Sequence, residues 1–105
     1  MEQADLNYIK TLSGGDKAFE QKLIAIIKTE FPIERAVYES NIKKLNFKLA
    51  AENVHKLKHK ISILGLEKSY EVAVAYEEQL ITNRMSLKND FEVILQQISK
   101  FLETI

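Results

Sequence analysis

Residues Phe47–Leu64 read FKLAAENVHKLKHKISIL, and within them apolar side chains recur at alternating spacings of three and four. On an α-helix with about 3.6 residues per turn, residues with this spacing share one face. The apolar face consists of Phe47, Ala50, Val54, Leu57, Ile61 and Leu64. The stretch therefore predicts a long amphipathic helix that packs against other helices.

Two stretches downstream repeat this period. The last has apolar residues at Leu87, Phe91, Ile94, Ile98, Phe101 and Ile105. The middle one follows Gly65 and has apolar or aromatic residues at Leu66, Tyr70, Ala73, Tyr76 and Leu80. We expect Gly65 to end the preceding helix in the left-handed conformation and Ser86 to cap the start of the last helix.

The residues that precede Phe47 predict a further amphipathic helix. Asp16, after Gly14-Gly15, is a start signal, and Pro32 should interrupt the helix with a kink near residues 29–32. The expected core residues are Phe19, Leu23, Ile26 and Ile27 before the proline and Ile33, Val37, Ile42 and Leu45 after it. A short first helix is expected over about residues 5–12.

Four striped helices with short connections predict an all-α fold, an antiparallel four-helix bundle with a short additional N-terminal helix. Three glycines and one proline are too few for a fold of many short strands. No repeat, low-complexity tract or linker divides the chain, so residues 1–105 should form one domain. We expect a monomer, since one bundle should consume all the apolar stripes.

The composition narrows the function classes. The chain has 15 Lys and Arg and 15 Asp and Glu, so it lacks the cationic excess of a protein that coats nucleic acid. It has no cysteine, which excludes disulfides and thiolate chemistry. The longest apolar run, Leu23–Ile27, is too short to cross a bilayer, and the chain does not start like a secretory signal. We expect a cytoplasmic protein without nucleic-acid or membrane partners.

Both histidines lie in the middle of the helix predicted over Phe47–Leu64. His55 follows the core residue Val54 by one position, which places its ring on the flank that faces water. His59 lies about one turn further along, on the same exposed side. An exposed imidazole is substantially neutral at cellular pH and can act as a nucleophile, so this pair of histidines is the candidate functional site.

The residues around His55 resemble a known motif. They read His55-x-Leu57-Lys58, and Leu64-Gly65 follows, with the glycine ten positions after the histidine. This is similar to the signature H-x-L-K-G-x5-G of histidine-containing phosphotransfer (HPt) domains, and the chain resembles the bacterial stand-alone type. The resemblance extends over about residues 6–102 through Gly14-Gly15-Asp16, Phe31-Pro32, Val72-Ala73 and Tyr76-Glu77.

The resemblance implies a phosphocarrier in a multistep His-Asp phosphorelay of two-component signalling. His55 would accept a phosphoryl group from a receiver-domain aspartate of a hybrid sensor kinase and pass it to a response regulator, while Lys58 would stabilise the phosphoryl charge. The chain would need no cofactor, because the Mg²⁺ required for transfer belongs to the partner receiver domain. Residues that could dock or tune this partner are Ala51, Glu52, His59 and Ser62.

Two further features concern the partner. The family pattern has glycine four residues after the histidine, where this chain has His59. The consequences open at this point are a differently shaped partner surface, a second ring that hydrogen-bonds the phosphoryl group or tunes His55, and lost transfer; we expect an active protein with altered partner preference. The segment Lys43–Lys60 contains six lysines and one glutamate, a net charge of +5. Such a positive collar would steer a partner with an acidic pocket, as receiver domains have.

Other interpretations stay open. His55 and His59 have the i, i+4 spacing of a metal chelate with Glu52 nearby, but zinc takes four ligands and we expect no physiological metal site. The alternative function is a non-catalytic HPt-like interaction module that binds partners without phosphotransfer. A kinase is not expected, because the chain has no Gly-rich nucleotide-binding loop.

Overall fold

The computed structural model describes residues 2–105 of the protein. These residues form five helices, in the stretches where the sequence predicts helix. They are α1 (Asn7–Ser13), α2 (Lys17–Lys43), α3 (Phe47–Ile63), α4 (Glu67–Ile81) and α5 (Lys88–Glu103). The described residues contain no strand, so the prediction of an all-α chain is confirmed.

The stripes predicted on α3, α4 and α5 face the core. On α3 the buried residues are Ala50, Ala51, Val54, Leu57 and Ile61. On α4 and α5 they include Ala73, Tyr76, Leu80, Phe91, Ile94 and Ile98. Residues at the ends of these stripes, Phe47, Tyr70, Leu87, Phe101 and Ile105, are partly buried against the same cluster. The three stripes are therefore confirmed.

The expected interruption at Pro32 does not divide the helix, because α2 runs from Lys17 to Lys43 with Pro32 inside it. A proline within a helix costs about 3 kcal/mol through a lost hydrogen bond and steric conflict. Phe31 and Tyr38 are fully buried on the two sides of this position. Burial of each large side chain contributes roughly 1.5–3 kcal/mol, which offsets that cost and keeps the helix continuous.

The core face of α2 also differs from the prediction. The residues that face the core are Glu20, Ile24, Ile27, Phe31, Tyr38 and Ile42. Of the expected core residues, Ile27 and Ile42 are buried and Leu23 is half-buried, whereas Phe19, Ile26, Ile33, Val37 and Leu45 are exposed. The helix carries two apolar stripes, and the one that contains Phe31 and Tyr38 packs inward because it holds the larger aromatic surface.

The helix ends confirm two predicted caps and correct a third. The Asp16 carboxylate accepts a hydrogen bond from the Phe19 N–H at 3.1 Å, so its role as the start of α2 is confirmed. Gly65 follows α3 with φ +79°, which confirms the left-handed end. The predicted Ser86 cap was wrong: α5 begins at Lys88, and the Gln79 side-chain oxygen accepts from the Leu87 N–H at 3.0 Å.

Residues ahead of α1 lie across the connection between α3 and α4. The Asp5 N–H donates to the Leu64 carbonyl at 3.0 Å. The Glu2 carboxylate accepts from the backbone N–H groups of Ser69 at 2.6 Å and Lys68 at 3.0 Å, at the start of α4. Helix α1 begins at Asn7, two residues later than expected, because Asp5 accepts from the Asn7 N–H instead of entering the helix.

The longer helices pack in a closed order. Helix α3 contacts α2 and α4, α5 contacts α4 and α2, and α1 rests on α2. The result is a compact, helical bundle-like fold with a radius of gyration of 14.0 Å. Within residues 2–105, no helix combines the length and the apolar character that a membrane span needs.

Candidate functional site

His55 lies near the middle of α3 with its side chain 53% exposed. Its helix neighbours Val54 and Leu57 are fully buried, so the backbone under the imidazole is held by the core while the ring stands at the surface. This agrees with the position expected from the helical wheel. A rigid helix that presents an exposed imidazole keeps that ring accessible to another protein.

The ring of His55 is oriented by a carboxylate from the next helix. Nδ1 of His55 lies 3.1 Å from Oε2 of Glu77 on α4. An ionised carboxylate only accepts hydrogen bonds, so the ring nitrogen in this contact carries the proton. In the neutral imidazole the other nitrogen, Nε2, then holds the lone pair. The contact therefore leaves Nε2 as the ring nitrogen with a free lone pair.

Lys58 binds the second oxygen of the same carboxylate. Its Nζ lies 2.9 Å from Glu77 Oε1, and both side chains are largely buried, at 14% and 18% exposure. Sequence reasoning expected Lys58 to stabilise a phosphoryl group directly, whereas in this structure it is paired with Glu77. By holding Oε1, the Lys58 ammonium fixes the carboxylate so that Oε2 is directed toward His55.

His59 packs its ring edge-on against His55, with ring centroids 5.1 Å apart and an interplanar angle of 87°. A glycine at this position would leave that side of the His55 ring open. His59 therefore narrows the approach to His55 from the C-terminal direction of α3. A partner that reaches Nε2 has to accommodate this second imidazole.

A surface groove of about 700 Å³ runs along His55 between α3 and α4. Its lining residues are Lys48, Ala51, Glu52, Asn53, His55, Lys56, Glu77, Ile81 and Asn83. Ala51 is buried and forms the small floor of the groove, and Glu52 stands exposed at its side. Ser62 is exposed on α3 but does not line this groove. The structure thus brings Ala51, Glu52 and His55 together and leaves Ser62 apart.

The predicted positive collar is partly neutralised. Lys60 forms ion pairs with Glu30 at 2.9 Å and Glu34 at 3.1 Å on α2, and Lys58 is paired with Glu77. Burial lowers the pKa of the Lys60 ammonium, but the hydrogen bonds to the two glutamates outweigh it and hold this pKa above its ordinary value. The lysines that line the groove itself are Lys48 and Lys56.

Sequence reasoning missed the roles of Glu77 and Ile81. In the sequence Glu77 stands out only as part of the family-like pair Tyr76-Glu77, although it is the residue that contacts His55 and Lys58. Ile81 lies one turn further along α4, is 65% exposed, and gives the groove an apolar end. The spacing of four between Glu77 and Ile81 predicts that they share one face of α4. It does not predict which residues of α3 lie opposite that face, because this depends on how the two helices pack.

Among residues 2–105, no three His, Cys, Asp or Glu side chains are grouped as ligands for a metal ion. In comparisons with known proteins, no family model, no curated protein and no solved structure matches this chain.

Proposed function

We propose that this chain is an HPt-like phosphocarrier in a multistep His-Asp phosphorelay, with His55 as the phosphoryl acceptor and donor. The observation that carries the proposal is the hydrogen bond between His55 Nδ1 and the Glu77 carboxylate on an otherwise exposed ring. It supports a nucleophilic Nε2 held on a rigid helix. The resemblance of His55-x-Leu57-Lys58 and Leu64-Gly65 to the family signature supports the same function.

The transfer step follows from this arrangement. The Nε2 lone pair attacks the phosphorus of a receiver aspartyl phosphate, the bond from phosphorus to the aspartate oxygen breaks, and the carboxylate leaves. The Nδ1 proton stays in place, so the ring gains positive charge as the new nitrogen–phosphorus bond forms. The Glu77 carboxylate stabilises that charge, as the carboxylate of a catalytic triad stabilises its imidazolium. The reverse step returns the phosphoryl group to an aspartate of a response regulator.

The architecture proposed for this function is an antiparallel four-helix bundle formed by α2–α5, with α1 as the short additional helix. Connections of three to six residues between consecutive helices support it, since such short loops join antiparallel neighbours. The closed order of contacts, in which α5 returns to α2, supports it as well. In this arrangement α3 lies between α2 and α4, and His55 faces outward on the side of α3 next to α4.

The proposed partners are receiver domains of a hybrid sensor kinase and of response regulators. Lys48 and Lys56 on the rim of the groove suit an acidic receiver pocket, and Ile81 offers an apolar contact beside them. We assign the Mg²⁺ needed for transfer to the receiver and no cofactor or kinase activity to this chain. The proposed location is the cytoplasm, where receiver domains act.

The alternative is a non-catalytic interaction module that uses the same groove. The observation that favours it is His59, whose ring stands against His55 where the family has glycine. A bulky neighbour that blocks in-line approach would leave docking possible and transfer absent. The two functions differ only in the covalent step, so the covalent adduct separates them.

The test mixes the purified chain with phosphorylated receiver domains and Mg²⁺ and looks for an acid-labile, base-stable phosphoryl adduct. The controls are His55→Gln, which removes the proposed nucleophile, and His59→Gln, which keeps it. We expect an adduct that is lost in His55→Gln and retained in His59→Gln. Binding without any adduct across a broad panel of receivers would overturn phosphotransfer in favour of the non-catalytic module.

A further inference from the structure

The outer face of α2 carries an apolar ridge that the bundle does not cover. Phe19, Ile26, Ile33 and Val37 are 44%, 41%, 62% and 45% exposed. At 100° per residue they fall within an arc of about 40°, roughly 130° around the helix from the buried face. Over 19 residues this ridge extends about 27 Å. Scattered exposed apolar residues are ordinary, but a continuous row on one helix is not.

Small residues form a trough beside the ridge. Each large residue is preceded in sequence by a small one, in the pairs Ala18-Phe19, Ala25-Ile26, Pro32-Ile33 and Ala36-Val37. Thr29 lies in the same trough, and all of these residues are exposed. A ridge of large side chains next to a trough of small ones is a shape that complements itself when a second helix is laid against it.

This face is almost uncharged. Lys22 is the one charged residue within the arc of ridge and trough between residues 18 and 37. The charged residues of α2, such as Glu30, Glu34 and Arg35, lie on its flanks, and these three contact α3 or α5. The charged groups of a strongly charged partner would lose their hydration on this face without gaining ion pairs. A second uncharged face has no charged groups to desolvate and therefore avoids this cost.

We propose that the α2 face is the interface between two copies of this chain, packed with their α2 helices antiparallel around a two-fold axis. The ridge of each copy then fills the trough of the other, which makes the contact isologous. With the axis at the midpoint of the ridge, Lys22 of one copy lies level with Glu34 of the second. A parallel arrangement instead brings two Lys22 ammonium groups together, which disfavours it.

The size of the face predicts a reversible dimer. A strip about 30 Å long and about 11 Å wide on each copy buries roughly 660 Å² in total, below the size of a standard stable interface. We therefore expect a dissociation constant in the micromolar range. The expectation of a monomer rested on all apolar stripes being consumed within one bundle, and the exposure of Ile33 and Val37 contradicts that premise.

The dimer does not depend on phosphotransfer. His55 contacts α4 through Glu77, on the opposite side of α3 from the Lys60 contacts with α2. Two copies joined through α2 therefore keep both histidines exposed. The test of the dimer uses the chain alone, so its failure leaves the phosphocarrier proposal standing, and the reverse also holds.

The first test is sedimentation equilibrium of the full chain from micromolar to millimolar concentration. We expect the apparent mass to rise from that of one chain toward that of two. Ile33→Asp places a charge in the centre of the ridge and should raise the dissociation constant at least about tenfold. The matched control is Val93→Asp, which changes a residue of α5 with 47% exposure and should leave the mass profile as in the wild type. Circular dichroism checks that both variants are folded.

The second test fixes the orientation. The chain has no cysteine, so a single introduced thiol is unique. Thr29→Cys lies close to the proposed axis and should cross-link two copies rapidly under mild oxidation, whereas Ala18→Cys lies roughly 30 Å from its equivalent and should not. Cross-linking of both variants would overturn the antiparallel arrangement. The dimer would be overturned if the wild-type chain kept the mass of a single chain at every concentration. It would also be overturned if Ile33→Asp lost receiver binding but kept the self-association of the wild type.

Discussion

At the scale of single residues, the contact of Glu77 with His55 decides which ring nitrogen carries the lone pair. Sequence patterns place His55, His59 and Glu52 on the exposed side of one helix, because a helical wheel needs only the spacing along one segment. Glu77 comes from another helix, and its distance to His55 depends on the register between α3 and α4. That register is set by the packing of buried residues such as Val54 and Tyr76.

Replacing Glu77 with glutamine should slow phosphoryl transfer to His55 by at least about 10- to 100-fold, the loss seen when a metal-binding histidine loses its carboxylate partner. A neutral amide stabilises the developing charge on the ring less well and leaves Lys58 without its counter-ion. Rates of adduct formation measure the loss. The ¹⁵N chemical shifts of His55 should also change, because its proton is then distributed over both ring nitrogens.

The control for this variant is Glu78→Gln, which removes a carboxylate from the neighbouring, exposed position. It should transfer at the wild-type rate with unchanged His55 shifts. Equal rates in Glu77→Gln and the wild type would remove Glu77 from the proposed chemistry.

At the scale of elements, the core-facing sides of α3, α4 and α5 agree with the prediction, whereas that of α2 does not. Helices α3, α4 and α5 each have one apolar stripe, so their core faces can be deduced from spacing. Helix α2 has two, one with Phe31 and Tyr38 and one with Ile26 and Ile33, and spacing does not say which faces inward. The connection before α5 was mispredicted for a similar reason, since Gln79 binds the Leu87 N–H from eight residues away.

The start of α4 depends on Glu2, whose carboxylate accepts two backbone N–H groups there. Burial raises the pKa of Glu2, but the hydrogen bonds from Ser69 and Lys68 outweigh burial and bring this pKa below its usual value. A carboxyl with a lowered folded-state pKa stabilises the fold above its unfolded-state pKa, and this contribution disappears as the pH falls through the folded-state pKa.

Glu2→Ala should therefore lower the free energy of unfolding by about 1 kcal/mol at neutral pH, a typical value for the loss of a helix cap. The difference from the wild type should begin to fall near the ordinary glutamate pKa of about 4.3 and vanish only below the lowered folded-state pKa of Glu2. Urea unfolding over a range of pH measures it, with Gln3→Ala as the control. Equal stability of Glu2→Ala and the wild type at neutral pH would contradict the capping role.

At the scale of the whole molecule, a buried polar network joins three helices. The Tyr38 hydroxyl on α2 lies 2.7 Å from the Tyr76 hydroxyl on α4 and donates to Glu92 on α5 at 3.0 Å. The rings of Tyr38 and Phe91 meet edge-on with centroids 5.3 Å apart. Composition and periodicity predict aromatic residues in the core, but they do not predict that hydroxyls from separate helices meet there.

Tyr38→Phe keeps the ring contacts and removes the central hydroxyl of this network. The Tyr76 hydroxyl then loses its partner inside the core, which should cost about 1–3 kcal/mol in the free energy of unfolding. Burial, and next the hydrogen bond with Tyr76, raises the pKa of Tyr38 far above its ordinary range, so the loss should not vary across neutral pH. Urea unfolding measures it against Tyr8→Phe, a change at an exposed tyrosine. A loss that is the same in both variants would argue against the network.

The central claim is that His55 accepts a phosphoryl group on Nε2. The most direct measurement is NMR of the ¹⁵N-histidine-labelled chain after incubation with a phosphorylated receiver and Mg²⁺. We predict that phosphorus couples to Nε2 of His55 and that Nδ1 keeps its proton next to Glu77. A phosphoryl group on His59 or on Nδ1 of His55, or no phosphorylated imidazole with any receiver, would contradict the account.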